Sequence, residues 1–422
     1  MPHERDSAPR RPPAPGGRRG TNLPRVADYN QMLVLDLVRR TTGISRVELV
    51  QHTGLTAQTL SNITRRLLGA GLIRESGREN IGTGAPRTLF EVEATGRYSI
   101  GLHIDPARLT CIVLDLAGEV VASNVRPTPN TADPADVIEE IAAAISALIE
   151  ETAVPAPRIA GIGVATPGPL DVARGVVIDA PNLPGWELVD LRQDLEARMG
   201  YTVIIEKDAT AAALGETWSS QAASRNMAFV YLGTGVAAGV ILDGDVARGA
   251  SSNIGDIGHM SGAPDGPLCY CGGRGCLATT AMPASIVGEA VDRGALDQVD
   301  LDDPRAVEIA LAELGRLAAD GRPAAAEILD HVAHSFGRVA GQLANALDLD
   351  AIVFGGPQWP TFETSFLRVV PGEVENLFVH RALHGVTVRG TSIGEHVGAV
   401  GAASLAMWST TFDAPRQLFL PH

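Results

Sequence analysis

Near residue 97 the apolar residues of this chain change their period, and no other feature of the 422 residues constrains the fold as much. Ahead of that point the spacing is helical. In DYNQMLVLDLVRRT, residues 28–41, Met32, Leu33, Leu35, Leu37 and Val38 form an apolar stripe, and Gly43 ends the run. Behind it, strand-length runs alternate with helical ones. YSIGLHID and TCIVLDLAGEVVAS read as two strands about a turn at Gly118, VIEEIAAAISALIEE as a helix, RIAGIGVATPG as a buried strand, and YTVIIEKDATAAALGETW as a strand entering a helix. AFVYLGTGVAAGVILDGDVARG gives strand, glycine turn and strand. The end repeats the theme with helices around PAAAEILDHVAHSFGRVAGQLANAL and VGAVGAASLAM flanking the strand AIVFGG. Sheets covered by helices, in two successive halves, predict an α/β body.

The front has its own signature. Residues 1–27 are rich in Pro, Gly and Arg without an apolar pattern, so they bury too little surface to order themselves and read as a disordered basic arm. SRVELVQHTGLTAQTLSNITRRLLGAGLI then predicts a short helix over Arg46 to His52, a tight turn through Gly54, and a second helix with Thr56 as N-cap ending near Gly69 to Gly71. Two helices joined by such a turn are the arrangement of helix-turn-helix DNA binders, whose second helix offers its first turns to base edges. Ala57, Gln58, Thr59, Ser61 and Asn62 occupy those turns, Arg65 and Arg66 follow where phosphates would lie, and Leu60, Ile63 and Leu67 face inward. IRESGRENIGTGAPRTLFEV alternates as a two-stranded ribbon around a tip from Gly77 to Arg87, the shape of a wing. The expected DNA contacts are Arg46, Thr56, Ala57, Gln58, Thr59, Ser61, Asn62, Arg65, Arg66, Arg78 and Arg87. Helices with a ribbon also build protein-interaction modules, and charge weighs between the two. Residues 1–90 hold 14 Arg and no Lys against 7 Asp and Glu, a balance of +7; the remainder holds 20 basic against 42 acidic residues, −22, within a total of −15. A basic front on an acidic body favours a double-stranded DNA partner at the front, with solvated arginines on an ordinary module as the alternative. The expected division is therefore an arm over 1–27, a winged helix-turn-helix domain over 28–95 and an α/β body over 96–422.

No apolar run approaches the roughly 18 residues of a membrane span, and the basic start is not followed by the apolar segment of a secretion signal. A cytoplasmic location without membrane association is expected. In that reducing compartment clustered cysteines are metal ligands before they are disulfide partners. GHMSGAPDGPLCYCGGRGCLATTA, residues 258–281, places His259, Cys269, Cys271 and Cys276 in the pattern H-x9-C-x-C-x4-C. One nitrogen and three sulfur donors close a tetrahedral zinc shell with no open position, which predicts a structural Zn2+. Gly272, Gly273 and Gly275 let the backbone turn sharply enough for the thiolates to converge. A cysteine cluster without metal is the alternative. Zinc on one ring nitrogen of His259 would leave the other to orient on a neighbour or a ligand.

DIGHM followed by CYCGGRGCLA, together with APNLPGW (180–186), EKDATAAALGE (206–216), LGTGVAAGVILDG (232–244) and VFGG (353–356), resembles the ROK family of bacterial sugar kinases and sugar-responsive repressors. SRVELVQHTGLTAQTLSNI resembles the winged helix-turn-helix of its NagC/XylR-type repressor branch. The resemblance implies a two-lobed, actin-like α/β body with sugar in the cleft and assembly into a homodimer or homotetramer. The family's zinc quartet matches His259, Cys269, Cys271 and Cys276, and its sugar-facing Asp matches Asp208. The Asn usual before that Asp is Lys207, the one lysine of the chain; the Glu of the E-x-G-H element is Asp256; and the Glu two positions after the last cysteine is Ala278. Thr166, Gly168, Asn182, Lys207, Asp208, Asp256 and His259 are the expected effector contacts, with an N-cap role for Asp208, and a cleft kept only as fold, as plainer alternatives.

The kinases of this family open the body with a D-x-G-G-T loop whose amides reach ATP phosphates. Here the matching residues are His103, Ile104, Asp105, Pro106 and Ala107. Proline lacks an amide and Asp105 sets a carboxylate against the phosphates, so phosphoryl transfer is not expected. The expected function is a DNA-binding regulator, a repressor of carbohydrate-related genes modulated by a sugar or sugar derivative. A ROK sugar kinase and a constitutive DNA-binding protein are the competing readings.

Overall fold

The computed structural model describes residues 23–79, 86–129, 131, 133–180, 183–219 and 224–412. Helix α1 (Leu23–Arg40) begins inside the stretch read as an arm. After the short strand β1 (Ile44–Ser45) comes α2 (Arg46–Thr53), which opens on a capping box: the Ser45 hydroxyl accepts from the Glu48 amide and the Glu48 carboxylate accepts from the Ser45 amide. Gly54, at φ 66°, closes α2 by donating to the Val50 carbonyl, a conformation in which a side chain would be strained. Thr56 caps α3 (Ala57–Gly69) by accepting from the Thr59 amide. Leu60, Ile63 and Leu67 are buried as predicted, and so is Thr64, whose hydroxyl turns back to the Leu60 carbonyl. β2 (Ile73–Glu79) and β3 (Arg87–Val92) pair antiparallel, with β1 on the far side of β3, and complete a winged helix-turn-helix. The wing tip, 80–85, lies outside the described residues.

The body has two lobes. The first is a sheet of β4 (Tyr98–Ile104), β5 (Arg108–Asp115), β6 (Val120–Pro127), β7 (Ile159–Thr166) and β10 (Val203–Lys207) in the order β10-β7-β4-β5-β6, parallel over its first three strands. Helices α4 (Pro134–Thr152) and α5 (Leu191–Met199) cover one face, and β8 (Leu170–Asp171) and β9 (Val176–Val177) make a small hairpin after β7. β10 runs straight into α6 (Asp208–Ser219). The second lobe orders β11 (Met227–Leu232), β12 (Val236–Leu242), β13 (Asp245–Ala247), β14 (Ala351–Gly355) and β15 (Thr387–Gly390) as β13-β12-β11-β14-β15. Past the short α7 (Leu277–Thr280), helices α8 (Pro283–Asp292), α9 (Pro304–Ala319), α10 (Pro323–Leu347) and α11 (Trp359–Leu377) bury its outer face. Sequence pattern does not single out α5, α8, α9 or α11: α5 buries little beyond Leu191 and Leu195, and α11 carries Pro371 inside it.

Between the sheets lie α6 and α12 (Val397–Thr411). Ala209, Ala212 and Ala213 of α6 pack on Phe229, Tyr231 and Val353 of the second sheet, while Ala399, Val400 and Ala403 of α12 pack on Ile112 and Leu114 of the first. Small side chains let the backbones touch. A Cβ on Gly401 would sit 1.7 Å from the Ala211 carbonyl oxygen, and one on Gly163 of β7 would sit 1.8 Å from that of Ala402. The front module joins the same stack, since Leu35, Leu60, Leu67 and Phe90 share one core with Leu116, Trp218, Met407, Trp408 and Phe412. Among the described residues no helix is long and apolar enough to cross a membrane.

Gly401→Ala is expected to lower stability by about 1–3 kcal/mol, because backbone stands where the methyl would go. Gly372→Ala, on the exposed side of α11 with nothing within 4 Å, should raise it by up to about 1 kcal/mol. Paired denaturant titrations of the two variants check the contrast.

Candidate functional site

The turn between β4 and β5 meets the turn between β11 and β12 across the two lobes. The Asp105 carboxylate accepts from the Ala107 amide at 2.9 Å and from the Thr234 amide at 3.1 Å, and the Thr234 hydroxyl donates to it as well. Two backbone amides that converge in this way form an anion cradle, and the chain fills it with its own carboxylate. Behind it His103 is buried, its Nε2 lies 3.0 Å from the Tyr231 hydroxyl, and burial pushes its pKa down to about 4, so the imidazole is neutral. Arg108, at the start of β5, reaches across to Glu308 on α9 and to Glu395 ahead of α12, the latter at 3.2 Å. A cavity of about 510 Å³ opens beside this bridge, walled by Ala107, Thr128 and Trp186 on one side and by Asp303 and Arg305 on the other.

Of the candidate effector contacts, Thr166, Gly168, Lys207 and Asp208 sit at the carboxyl ends of β7 and β10, where open α/β sheets hold ligands. Thr166 and Lys207 are register partners there, and both are buried. Lys207 lays its Cδ and Cε along Gly168, 3.6 Å from where a Cβ would stand, and its Nζ donates to the Ile254 carbonyl at 3.2 Å. Asp208 opens α6 with one carboxylate oxygen accepting from the Ala209 amide at 2.6 Å. Burial pushes Asp208 up to about 6 against the opposing pull of Lys207. Asp256 and His259 are exposed on the loop that leads to the cysteines, and Asn182 lies outside the described residues.

His259, Cys269, Cys271 and Cys276 converge as the sequence spacing implies, their donor atoms within 4.8 Å of one another, in a cluster that could hold a metal ion. His259 turns Nδ1 toward the Cys269 sulfur at 3.6 Å and Nε2 toward the Tyr270 hydroxyl at 2.9 Å, so Tyr270 takes the second ring nitrogen. The Gly273 amide, donating to the Cys271 sulfur, holds that thiol down to about 7, whereas burial raises Cys276 to about 11. Nothing in the sequence motif singles out Tyr270.

On the front module Thr56, Ala57, Gln58, Asn62, Arg65 and Arg66 are exposed, and Thr59 and Ser61 half-buried. Asn62 Oδ1 accepts from Gln58 at 3.5 Å and from Arg65 at 3.4 Å, which lines the three along one face of α3. Arg78 is exposed on the wing and Arg87 half-buried. Arg46 is exposed but tied inward, donating to Thr64 at 3.2 Å with its guanidinium 5.0 Å from the centre of the Phe90 ring. Sequence reading also misses the joint between module and body: the Arg39 guanidinium lies 3.8 Å over the Trp218 ring, donates to the Trp218 carbonyl at 3.0 Å, and is paired with Asp36.

The family model described as ROK family matches residues 99–408. A glucokinase of Halalkalibacterium halodurans is 29% identical over 73% of this chain and 94% of its own length. The DNA-binding transcriptional dual regulator NagC of Escherichia coli is 28% identical over 81% of this chain and 84% of its own. Among solved structures, a ROK family transcriptional regulator homologous to E. coli MLC matches with a TM-score of 0.74 and 22% identity, over 94% of this chain and 98% of that one. The last likeness establishes the fold across both the front module and the body.

Asp208 gives the cleft a measurable handle. Its folded pKa of about 6 stands above the 3.8 of a free Asp, so the folded state holds an extra proton between those values and stability declines as pH rises through that window. Above it the buried carboxylate is a net cost. Asp208→Asn is expected to be more stable than the parent by about 2–3 kcal/mol at pH 7.5, with the gain shrinking toward pH 4, in denaturant titrations across pH.

Proposed function

The chain belongs to the ROK family, and from that premise we propose that it is a sequence-specific DNA-binding regulator, a repressor of carbohydrate-related genes. Its body binds a sugar or sugar derivative and transfers no phosphoryl group. The observation that carries the reading is the exposed face of Gln58, Asn62 and Arg65 on α3 of a winged helix-turn-helix set ahead of the body. The DNA-binding domain, expected over 28–95, takes in the start of α1 at Leu23; 96–422 is the effector and oligomerisation body, and the residues ahead of α1 are a basic arm that adds non-specific attraction. The protein acts in the cytoplasm as a homodimer or homotetramer, which sets two recognition helices at the spacing of successive major grooves. The NagC relative supports this reading, while the glucokinase relative sustains the competing one.

Asp105 weighs against the kinase. A phosphate seated in the cradle would have to displace a carboxylate already bonded to the Ala107 and Thr234 amides, and would meet its charge. The neutral imidazole of His103 brings no positive charge to offset the charge on a transferring phosphoryl group. Thr166, Gly168, Asn182, Lys207, Asp208 and Asp256 instead serve an effector, while His259, proposed from the sequence for the same role, has its second ring nitrogen on Tyr270 and stays with the cysteine loop.

Effector and DNA communicate through α6. Its first residue, Asp208, is in the cleft, and Trp218, near its last, lies under Arg39 of the DNA-binding module, about 15 Å further along the axis. A ligand that prefers one seating of α6 changes how the two modules are held, and DNA affinity follows by linkage.

Zinc suits the cluster of His259, Cys269, Cys271 and Cys276, because an imidazole and three thiols fill a tetrahedral shell and leave no position for water. It would shape the loop and carry no chemistry. Cys271→Ser is expected to lower bound zinc, measured by elemental analysis, and melting temperature together.

The DNA reading is tested on a duplex selected from a random pool by the purified chain. Gln58→Ala and Asn62→Ala should cost about 1–3 kcal/mol on that sequence and little on random DNA. Arg65→Ala should weaken both and flatten the salt dependence. Sugar-dependent ATP consumption by the same preparation would move the assignment to the kinase.

A further inference from the structure

Lys207 is the one lysine among 422 residues, and it is buried at the end of β10 with 8% of its surface exposed. Enclosing an ammonium is costly unless something compensates its charge. The one hydrogen bond this ammonium makes among the described residues goes to a neutral acceptor, the Ile254 carbonyl, and two of its three N–H donors are left over. Glu206, the preceding residue, points to the other face of the strand and is paired with Arg248. Asp208 shares the cleft, but its carboxylate accepts from the Ala209 amide, and no hydrogen bond or ion pair joins it to the ammonium among the described residues.

A second, independent observation lies on the neighbouring strand. Thr166 pairs in register with Lys207, so their side chains share a face of the sheet. Its hydroxyl is fully buried and has no hydrogen-bond partner among the described residues. Unsatisfied buried hydroxyls are uncommon and costly, and one beside a spare ammonium marks a place for an acceptor. Gly168, two residues on, keeps the space beside the lysine stem free of a side chain.

Resting on the reading of this cleft as an effector site, we infer that the effector is a sugar acid: a polyol carrying one carboxylate, held between the Lys207 ammonium and the Thr166 hydroxyl, with its hydroxyl groups toward Asp208. One ammonium balances one negative charge. A phosphate near −2 at neutral pH would leave charge uncompensated beside Asp208 and Asp105, so a carboxylate fits better.

Calorimetric titration of the full chain at pH 7.5 tests this with D-gluconate, D-glucuronate and D-xylonate against D-glucose, D-xylose and D-glucose 6-phosphate, together with release of the selected duplex. At least one acid should bind tenfold or more tighter than its neutral parent and release DNA. Lys207→Gln should erase that preference, and Thr166→Val should reduce it severalfold with folding intact. The parent protein's own preference decides the matter even if a variant fails to fold. Equal binding of a sugar and its acid, or tighter binding of the phosphate, overturns the inference while the effector reading stands. Operator binding with no response to any of the six overturns both.

Discussion

The contact on which the rest of the molecule hangs is backbone against backbone, where α6 crosses α12 at Gly215, Gly401 and Ala211. No side chain fits between the two helices there, so the lobes come closer than ordinary helix packing allows. That closeness brings the β4–β5 turn of one sheet within hydrogen-bonding reach of the β11–β12 turn of the other, and it sets the first turn of α6 on the cleft floor. The alanine-rich composition of both helices follows from geometry: a larger residue on either would pry the sheets apart and dissolve the site before touching any ligand.

The electrostatics of the cleft follow one logic. Where a nucleotide's phosphates would call for open amides, the chain supplies an internal anion, Asp105, and locks the neighbouring turn with Arg108, Glu308 and Glu395. Where a neutral sugar would call for an uncharged amide, it supplies an ammonium. The two changes have opposite sign. On the proposed reading one fills an anion-binding place and the other offers one, which suits the body to a single small ligand.

Much of this was legible in the sequence where the determinants are local. The capped helices of the front, the Gly54 turn and the inward Leu60, Ile63 and Leu67 repeat within a few residues, and the metal-competent quartet spans only 18 positions. What escaped is what the fold brings together from afar. Asp105 meets Thr234 from 129 positions away and Arg39 meets Trp218 from 179, pairings that periodicity and spacing cannot register. Asp105 reads from the sequence as hostile to phosphate; that it sits on the amides, plugging the cradle rather than merely repelling from its edge, emerges only with the second lobe in view. Tyr270 was hidden for the opposite reason, being beside the motif but chemically silent in it until its hydroxyl is seen on His259.

The front module's apolar interior does not stop where its chain does. Leu116, Trp218, Met407, Trp408 and Phe412 of the body are as much a part of it as Leu35 or Phe90. Peptide connectivity and cooperative folding thus place the border differently, and the winged helix-turn-helix is not a cartridge that can be swapped between bodies. Grafting it onto another member of the family would carry over the exposed face of α3 but strip away the five body residues that wall the core behind it.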